Sequence, residues 1–270
     1  MSTPEIVANP GNLENPEIVP PKPKYNDFQR IIGTLLFPSE AFQDINIKPS
    51  LFVALILSII VSLGATLIIL QKVNINWEDF YSKIFEQQLT KQGKSRADLS
   101  QQEKEALNTQ VKTAAKVAPY FVYISPIVYT SAFPVILALI FFGGITMMGG
   151  VTAYKKVLSL VIHIFCMVTI FVQSTLNIIV VFLKDPKDID ITKGTLIASN
   201  PGMLMPEGTS KLLMAVLSQF DIFTIWALIL LSIGLPAISK NLSQKFALIT
   251  VFGLWSMYAF VAIALKIIFS

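Results

Sequence analysis

The chain reads as an all-α, polytopic integral membrane protein, on three observations. Five long stretches are apolar with hardly a charge inside, 53% of the residues are hydrophobic, and only 14% are charged. The stretches cover about 51–70, 120–144, 157–183, 221–238 and 246–266. A hydrocarbon core about 30 Å thick takes roughly 20 apolar residues at 1.5 Å rise each, and only helices or closed barrels satisfy their backbone groups there. Runs this long without alternation specify helices, so the expectation is one bundle of five transmembrane helices. The charged fraction is well below the roughly 25% of an average soluble domain, which leaves no room for a large aqueous domain.

Residues 1–26 carry prolines at 4, 10, 16, 20, 21 and 23 and almost no aromatics. Such a composition buries no core, and the segment is expected to be a disordered cytoplasmic tail, either a plain solvated extension or a docking segment. The basic start, apolar stretch and small-residue cleavage site of a secretory signal are missing before Leu51, so the first span reads as a retained anchor. Phe28, Ile31, Ile32, Leu35 and Leu36 recur at helical spacing with Asp27, Gln29, Arg30 and Thr34 opposite. That pattern predicts a short amphipathic helix lying on the inner leaflet. Pro38 then ends one helix and is well placed to begin another, and Lys48 and Pro49 mark the entrance to the bilayer.

The external loop 71–118 is patterned as a helical hairpin. Trp77, Phe80, Tyr81, Ile84, Phe85 and Leu89 make one apolar stripe, Gly93 supplies the break, and Ser100 followed by Glu103 is a capping box opening a second helix toward Lys116. Trp and Tyr suit the headgroup level, so the hairpin is expected to rest on the interface or the bundle, or to act as a lid over a cavity. Pro126 and Pro134 predict kinks in the second span, with Ser125, Thr130 and Ser131 near enough to satisfy freed carbonyls. Gly143, Gly144, Gly149 and Gly150 lack the Lys-Ser/Thr pair and preceding strand of a phosphate loop and read as a flexible exit from that span.

In the third span Gln173, Ser174, Thr175 and Asn177 form the polar cluster at membrane depth, suited to interhelical hydrogen bonds or to a polar path for a solute. Asp221 is an N-cap opening the fourth span, with Trp226 as an anchor one turn on. Short basic loops stay in the cytoplasm. The 2–3 link holds Lys155 and Lys156, and the 4–5 link Lys240 and Lys245, neither with an acid. The 3–4 link sets Lys184, Lys187, Lys193 and Lys211 against Asp185, Asp188, Asp190 and Glu207, and the first loop sets eight bases against six acids. The N-terminus is therefore expected inside and Phe269 and Ser270 outside. A net charge of +4 fits retention and contact with anionic lipids, with no nucleic-acid partner.

Catalytic chemistry finds few carriers. His163 and Cys166 are the chain's single histidine and cysteine, three residues apart, without a third orienting group; a packed or lipid-facing role is expected for each. One cysteine excludes an internal disulfide. No Asp or Glu lies inside a span, so proton or ion coupling has no usual carrier. No metal, cofactor or catalytic residue is expected.

Asp221-Ile-Phe-Thr-Ile-Trp226, then Gly234-Leu235-Pro236 and the turn from Ser239 to Lys245, resemble the Yip1 domain family, particularly its compact prokaryotic members. Phe37-Pro38-Ser39-Glu40-Ala41-Phe42, the helical external insertion and Thr152-Ala153-Tyr154-Lys155-Lys156 extend the resemblance over nearly everything from Phe28 onward. Gln173 and Ser174 stand where such proteins often place a proline. The resemblance implies a five-helix membrane domain over 27–270, in a bacterial inner membrane, without enzymatic activity. It also implies a membrane-organising adaptor whose partners are lipids and other membrane or cytoplasmic proteins or further copies of itself. Contacts would fall on Pro38, Glu40, Lys155, Lys156, Lys240 and Lys245, each also readable as an interface anchor or topology signal. The competing reading from the residues alone is a permease or channel for a small or lipidic solute, carried by Gln173, Ser174 and Asn177.

Overall fold

A computed structural model describes residues 21–186, 189, 196–206 and 208–268. Most of the N-terminal tail lies outside these residues, as do Lys187, Asp188, Asp190, Lys193, Glu207, Phe269 and Ser270. The chain is helical: α1 (Asp27–Leu36), α2 (Pro38–Ile47), α3 (Phe52–Val73), α4 (Trp77–Lys91), α5 (Gln101–Met147), α6 (Tyr154–Phe165), a π-helical stretch (Cys166–Val172), α7 (Gln173–Leu183), α8 (Lys211–Leu217), α9 (Ile222–Ile238) and α10 (Gln244–Ile268). Four helical runs are long and apolar enough to cross a membrane: α3, α5, the continuous run Tyr154–Leu183, and α10. A fifth arises if α8 and α9, bent by 42° at their junction, count as one span. The central helix α9 has 17 residues and a nearly all-apolar surface.

The core lies where α5, α6, α9, α10 and α2 meet. Ala138, Phe141 and Ile145 of α5 pack with Val157, Leu160, Val161 and Ile164 of α6, Leu231, Leu235 and Ile238 of α9, Ala247 and Val251 of α10, and Phe42 and Ile45 of α2. Gly144 lets α10 approach: a Cβ there would sit 2.7 Å from Thr250 Cγ2 and 3.1 Å from Leu254 Cδ1. Of the four glycines at the exit from α5, Gly143 and Gly149 have open space where a Cβ would stand, whereas Gly144 and Gly150 do not. Gly149 takes the left-handed conformation (φ 77°), and a Cβ on Gly150 would meet Ile145 Cγ2 at 2.6 Å and Ser239 Oγ at 2.9 Å.

Two further differences from the sequence reading have plain causes. The Ser100 capping box opens α5 as expected from its pattern, with Ser100 accepting from the Glu103 N–H, but the helix runs unbroken for 47 residues through Pro119, Pro126 and Pro134. The second arm of the expected hairpin is thus the N-terminal end of the second long helix, against which α4 packs. In α1 each expected face is split, with Ile31 and Leu35 turned inward beside Arg30 and Thr34, and Gln29 exposed beside the outward apolar residues. Arg30, Ile31, Gly33 and Thr34 are buried, while Phe28, Ile32, Leu36 and the following Phe37 are 55–60% exposed. A moment fixes which two faces differ, and the surroundings decide which one turns inward.

The third long helix changes its winding at Cys166–Val172, where the Gln173 N–H reaches back to the Val168 carbonyl, the five-residue spacing of a π-helix. This stretch lies immediately before Gln173.

Candidate functional site

Three segments are joined on one face of the bundle. The links after α5 and after α9 form an antiparallel bridge, Val151 N–H to the Lys240 carbonyl at 2.9 Å and Lys240 N–H to the Val151 carbonyl at 2.8 Å. Thr152 Oγ1 donates to the Ile238 carbonyl at 2.7 Å. The lower end of α2 is tied to α6, because Lys156 Nζ donates to Asn46 Oδ1 at 2.5 Å and Ser159 Oγ to the Ser50 carbonyl at 2.7 Å. On this face Lys155, Lys240 and Lys245 are exposed, and no ion pair among the described residues involves them.

The residues singled out from the sequence divide accordingly. Lys155, Lys156 and Lys240 come together through the bridge and the Asn46 contact, and Lys245 follows at the start of α10. Pro38 and Glu40 sit at the opposite end of α2 from Asn46. Pro38 is the first residue of that helix; the exposed Glu40 accepts from Tyr25 Oη at 2.6 Å and lies 3.7 Å from Lys24 Nζ. Donation to that carboxylate raises the Tyr25 phenol above its ordinary pKa.

Gln173 and Ser174 are half-buried on α7, which packs against α3, whereas Thr175 is exposed. Asn177 Oδ1 accepts from the Leu196 N–H at 3.2 Å, so its carboxamide holds a loop to the helix. Asp221 Oδ1 accepts from Thr224 N–H at 2.9 Å at the start of α9, and Trp226 is half-buried against the main core. Near the other face, a groove of about 450 Å³ opens where α3, α4 and α5 meet, lined by Leu67, Gln71, Asn74, Trp77 and Tyr123 among others.

The sequence reading missed a buried ion pair. Arg30 and Asp44, on different helices of the α1–α2 pair, are 2% and 3% exposed and lie 2.7 Å apart, Nε to Oδ2. Arg30 Nη1 also donates to Asp27 Oδ1 at 3.0 Å and to Ser50 Oγ at 3.1 Å. Asp44 Oδ1 accepts from the backbone N–H groups of Lys24 and, at 3.3 Å, Tyr25. The carboxylate thereby gains the partners that a buried charge needs. A signal existed in the Arg30–Thr34 polar stripe at i, i+4, but its partner lies fourteen residues on. Neither charge is inside a long apolar run.

His163 and Cys166 are both fully buried. A carbonyl only accepts, so His163 Nδ1, 2.7 Å from the Ser159 carbonyl, is the donor, and its Nε2 has no partner among the described residues. Among the described residues no group of three or more His, Cys, Asp or Glu side chains is placed to hold a metal ion.

A model of the Yip1 domain matches residues 32–265. The chain is 29% identical over 236 residues to the membrane protein YknW of Bacillus subtilis strain 168, covering 84% of this chain and 89% of the relative. No solved structure matches. With long apolar helices that meet lipid and a domain match over most of its length, this membrane protein belongs to the Yip1 domain family.

Proposed function

We propose that the chain is a non-enzymatic membrane-organising adaptor of a bacterial inner membrane. In this reading it crosses the membrane five times, with α9 as the fourth span and its N-terminus and lysine face in the cytoplasm. It recruits other membrane or cytoplasmic proteins, or further copies of itself, through that face, with anionic headgroups alongside. The observation that carries the reading is the trio Lys155, Lys240 and Lys245. All three are exposed on segments fixed by the Val151–Lys240 bridge, with no ion pair among the described residues. Unpaired cations on an ordered platform steer acidic partners more than they stabilise the fold.

The transport reading has weaker support, since the Asn177 carboxamide is engaged by the Leu196 amide and the groove at Trp77 lies toward the far end of α3. Proximity labelling from a tag at the N-terminus, with a second tag at the C-terminus, tests the adaptor reading in native membranes. Reproducible neighbours at the N-terminal tag, lost in the Lys155→Gln/Lys240→Gln/Lys245→Gln variant, are expected. Background labelling at both tags, with solute flux in liposomes reconstituted with the purified protein, would replace the adaptor by a permease.

A further inference from the structure

The outward apolar stripe of α1 calls for an occupant. Phe28, Ile32 and Leu36, four residues apart, form a single outward stripe, and Phe37 continues it at the turn into α2. On the inward side Ile31 packs with Ala54, Ile162, Cys166 and Met167, and Leu35 joins the same cluster near Phe171. Ile162 and Cys166 lie eight and twelve residues into the helix that begins at Tyr154, about 12 and 18 Å along it at 1.5 Å per residue. The first helix therefore runs beside the inner half of a membrane-spanning helix. α2 returns along α9 and α6, with Phe42 against Gly234 and Leu160, until Asn46 meets Lys156 back at the lysine face.

We propose that α1 and α2 are a re-entrant wedge, entering the leaflet on the lysine side, turning at Phe37-Pro38 within it and leaving by the same side. Acyl chains cover the Phe28–Ile32–Leu36–Phe37 face. Continuity names lipid as the occupant: α3, which α1 touches, turns its own exposed stripe of Phe52, Ile56 and Ile60 outward at the same four-residue spacing, and that stripe belongs to a helix long enough to span. The turn is built for a medium without water. Pro38 has no N–H to satisfy, the Phe37 N–H donates to the Gly33 carbonyl at 2.7 Å, and the Phe37 carbonyl accepts from Glu40 and Ala41 N–H at 3.1 Å. The charges are matched as well. Arg30 sits between Asp44 and Asp27, and Glu40 between Tyr25 Oη and Lys24 Nζ. Gly33 permits the close approach of the two arms, since a Cβ there would be 3.2 Å from that of Ala41.

Depth measurements by spin labelling test the wedge. Ile32→Cys, Leu36→Cys, Phe37→Cys and, as an aqueous reference, Lys48→Cys are labelled in the full chain carrying Cys166→Ala. They are reconstituted in vesicles of phosphatidylcholine and phosphatidylglycerol at about 3:1. The same labels in the parent, whose fully buried Cys166 stays unlabelled, guard against a background that fails to fold. At 32, 36 and 37 collisions with lipid-soluble oxygen are expected to exceed those with a water-soluble nickel chelate several-fold, with the order reversed at 48. Chelate-dominated collisions at 36 and 37 would place the turn in water and overturn the wedge. Low collision rates with both reagents would mean coverage by protein, such as a second copy, and would overturn it equally.

Discussion

Two helical pairs flank α3, and they solve opposite problems. The α1–α2 pair buries the ion pair Arg30–Asp44 and exposes the stripe of Phe28, Ile32 and Leu36. The pair formed by α4 and the N-terminal end of α5 keeps its ions in water. There Arg96 and Glu86, 43% and 50% exposed, lie 3.4 Å apart, and Trp77, Phe80, Tyr81, Ile84, Phe85 and Leu89 are half-buried. Trp77 and Phe80 meet edge to face at 5.8 Å, and Phe80 and Tyr81 at 5.3 Å. The α4–α5 pair is held largely by local devices: Asn76 caps α4, and Ser95 and Ser100 close boxes with Asp98 and Glu103. The α1–α2 pair also has a local cap at Asn26, but its polar core joins residues fourteen to twenty apart in sequence. The comparison teaches that an amphipathic pattern gives a helix its axis of asymmetry, while the medium assigns the sign.

The largest break in this contrast should come from Arg30→Met, which leaves Asp44 buried without its countercharge. A cost of about 3–5 kcal/mol is expected from removing one member of a buried pair. Denaturation of the protein in mixed micelles reads it, and Arg30→Met/Asp44→Leu should restore most of the loss. Next, Leu36→Lys should cost about 2–3 kcal/mol if its surroundings are hydrocarbon. Gln87→Lys on α4, an exposed site, should stay within about 0.5 kcal/mol. Equal effects of the two lysines in the same assay would erase the distinction between the pairs.

Seating of the wedge is tested by Gly234→Val. Even a Cβ at this position would lie 2.6 Å from Leu160 Cδ1 and 3.1 Å from Phe42 Cδ2. Overpacking of about 1–3 kcal/mol is expected, with faster proteolysis at α2 as the local readout. In the α4–α5 pair, Ser100→Ala removes an N-cap and should cost about 1 kcal/mol, read by amide exchange in the first turn of α5.

The smallest expected effect is one of pH. Hydrogen bonds from the Ser95 hydroxyl and backbone N–H hold the Asp98 carboxyl below its ordinary pKa. The stabilisation is then present above the ordinary carboxylate range and fades as pH falls through the lowered value. Protection factors at 95–98, taken after correction for the intrinsic pH dependence of exchange, should fall on acidification, and Asp98→Asn should remove that loss.

Long apolar runs made most of the helical architecture legible, because twenty uncharged residues leave few alternatives. The expected run 157–183 corresponds to Tyr154–Leu183 and 246–266 to Gln244–Ile268. The unbroken passage from Ser100 through three prolines was not legible, since proline rules describe an isolated helix and neighbours support this one. Arg30 with Asp44, and the orientation of α1, depend on contacts between elements. Nothing in the local spacing carries those. The lysines were easy to find, but their grouping rests on the Val151–Lys240 bridge, which two loops 89 residues apart create.

In the third long helix the π-helical stretch acts as a phase shifter. A π-turn holds an extra residue relative to the α-turn. Rewound as a plain α-helix with no residue removed, Cys166–Val172 would rotate everything beyond it by about 100°. Gln173 and Ser174 would swing off their present bearing, and the Asn177 carboxamide would lose its line to the Leu196 amide. A single peptide unit thereby sets the azimuth of half a helix, and through it the mooring of the loop that leads toward α8.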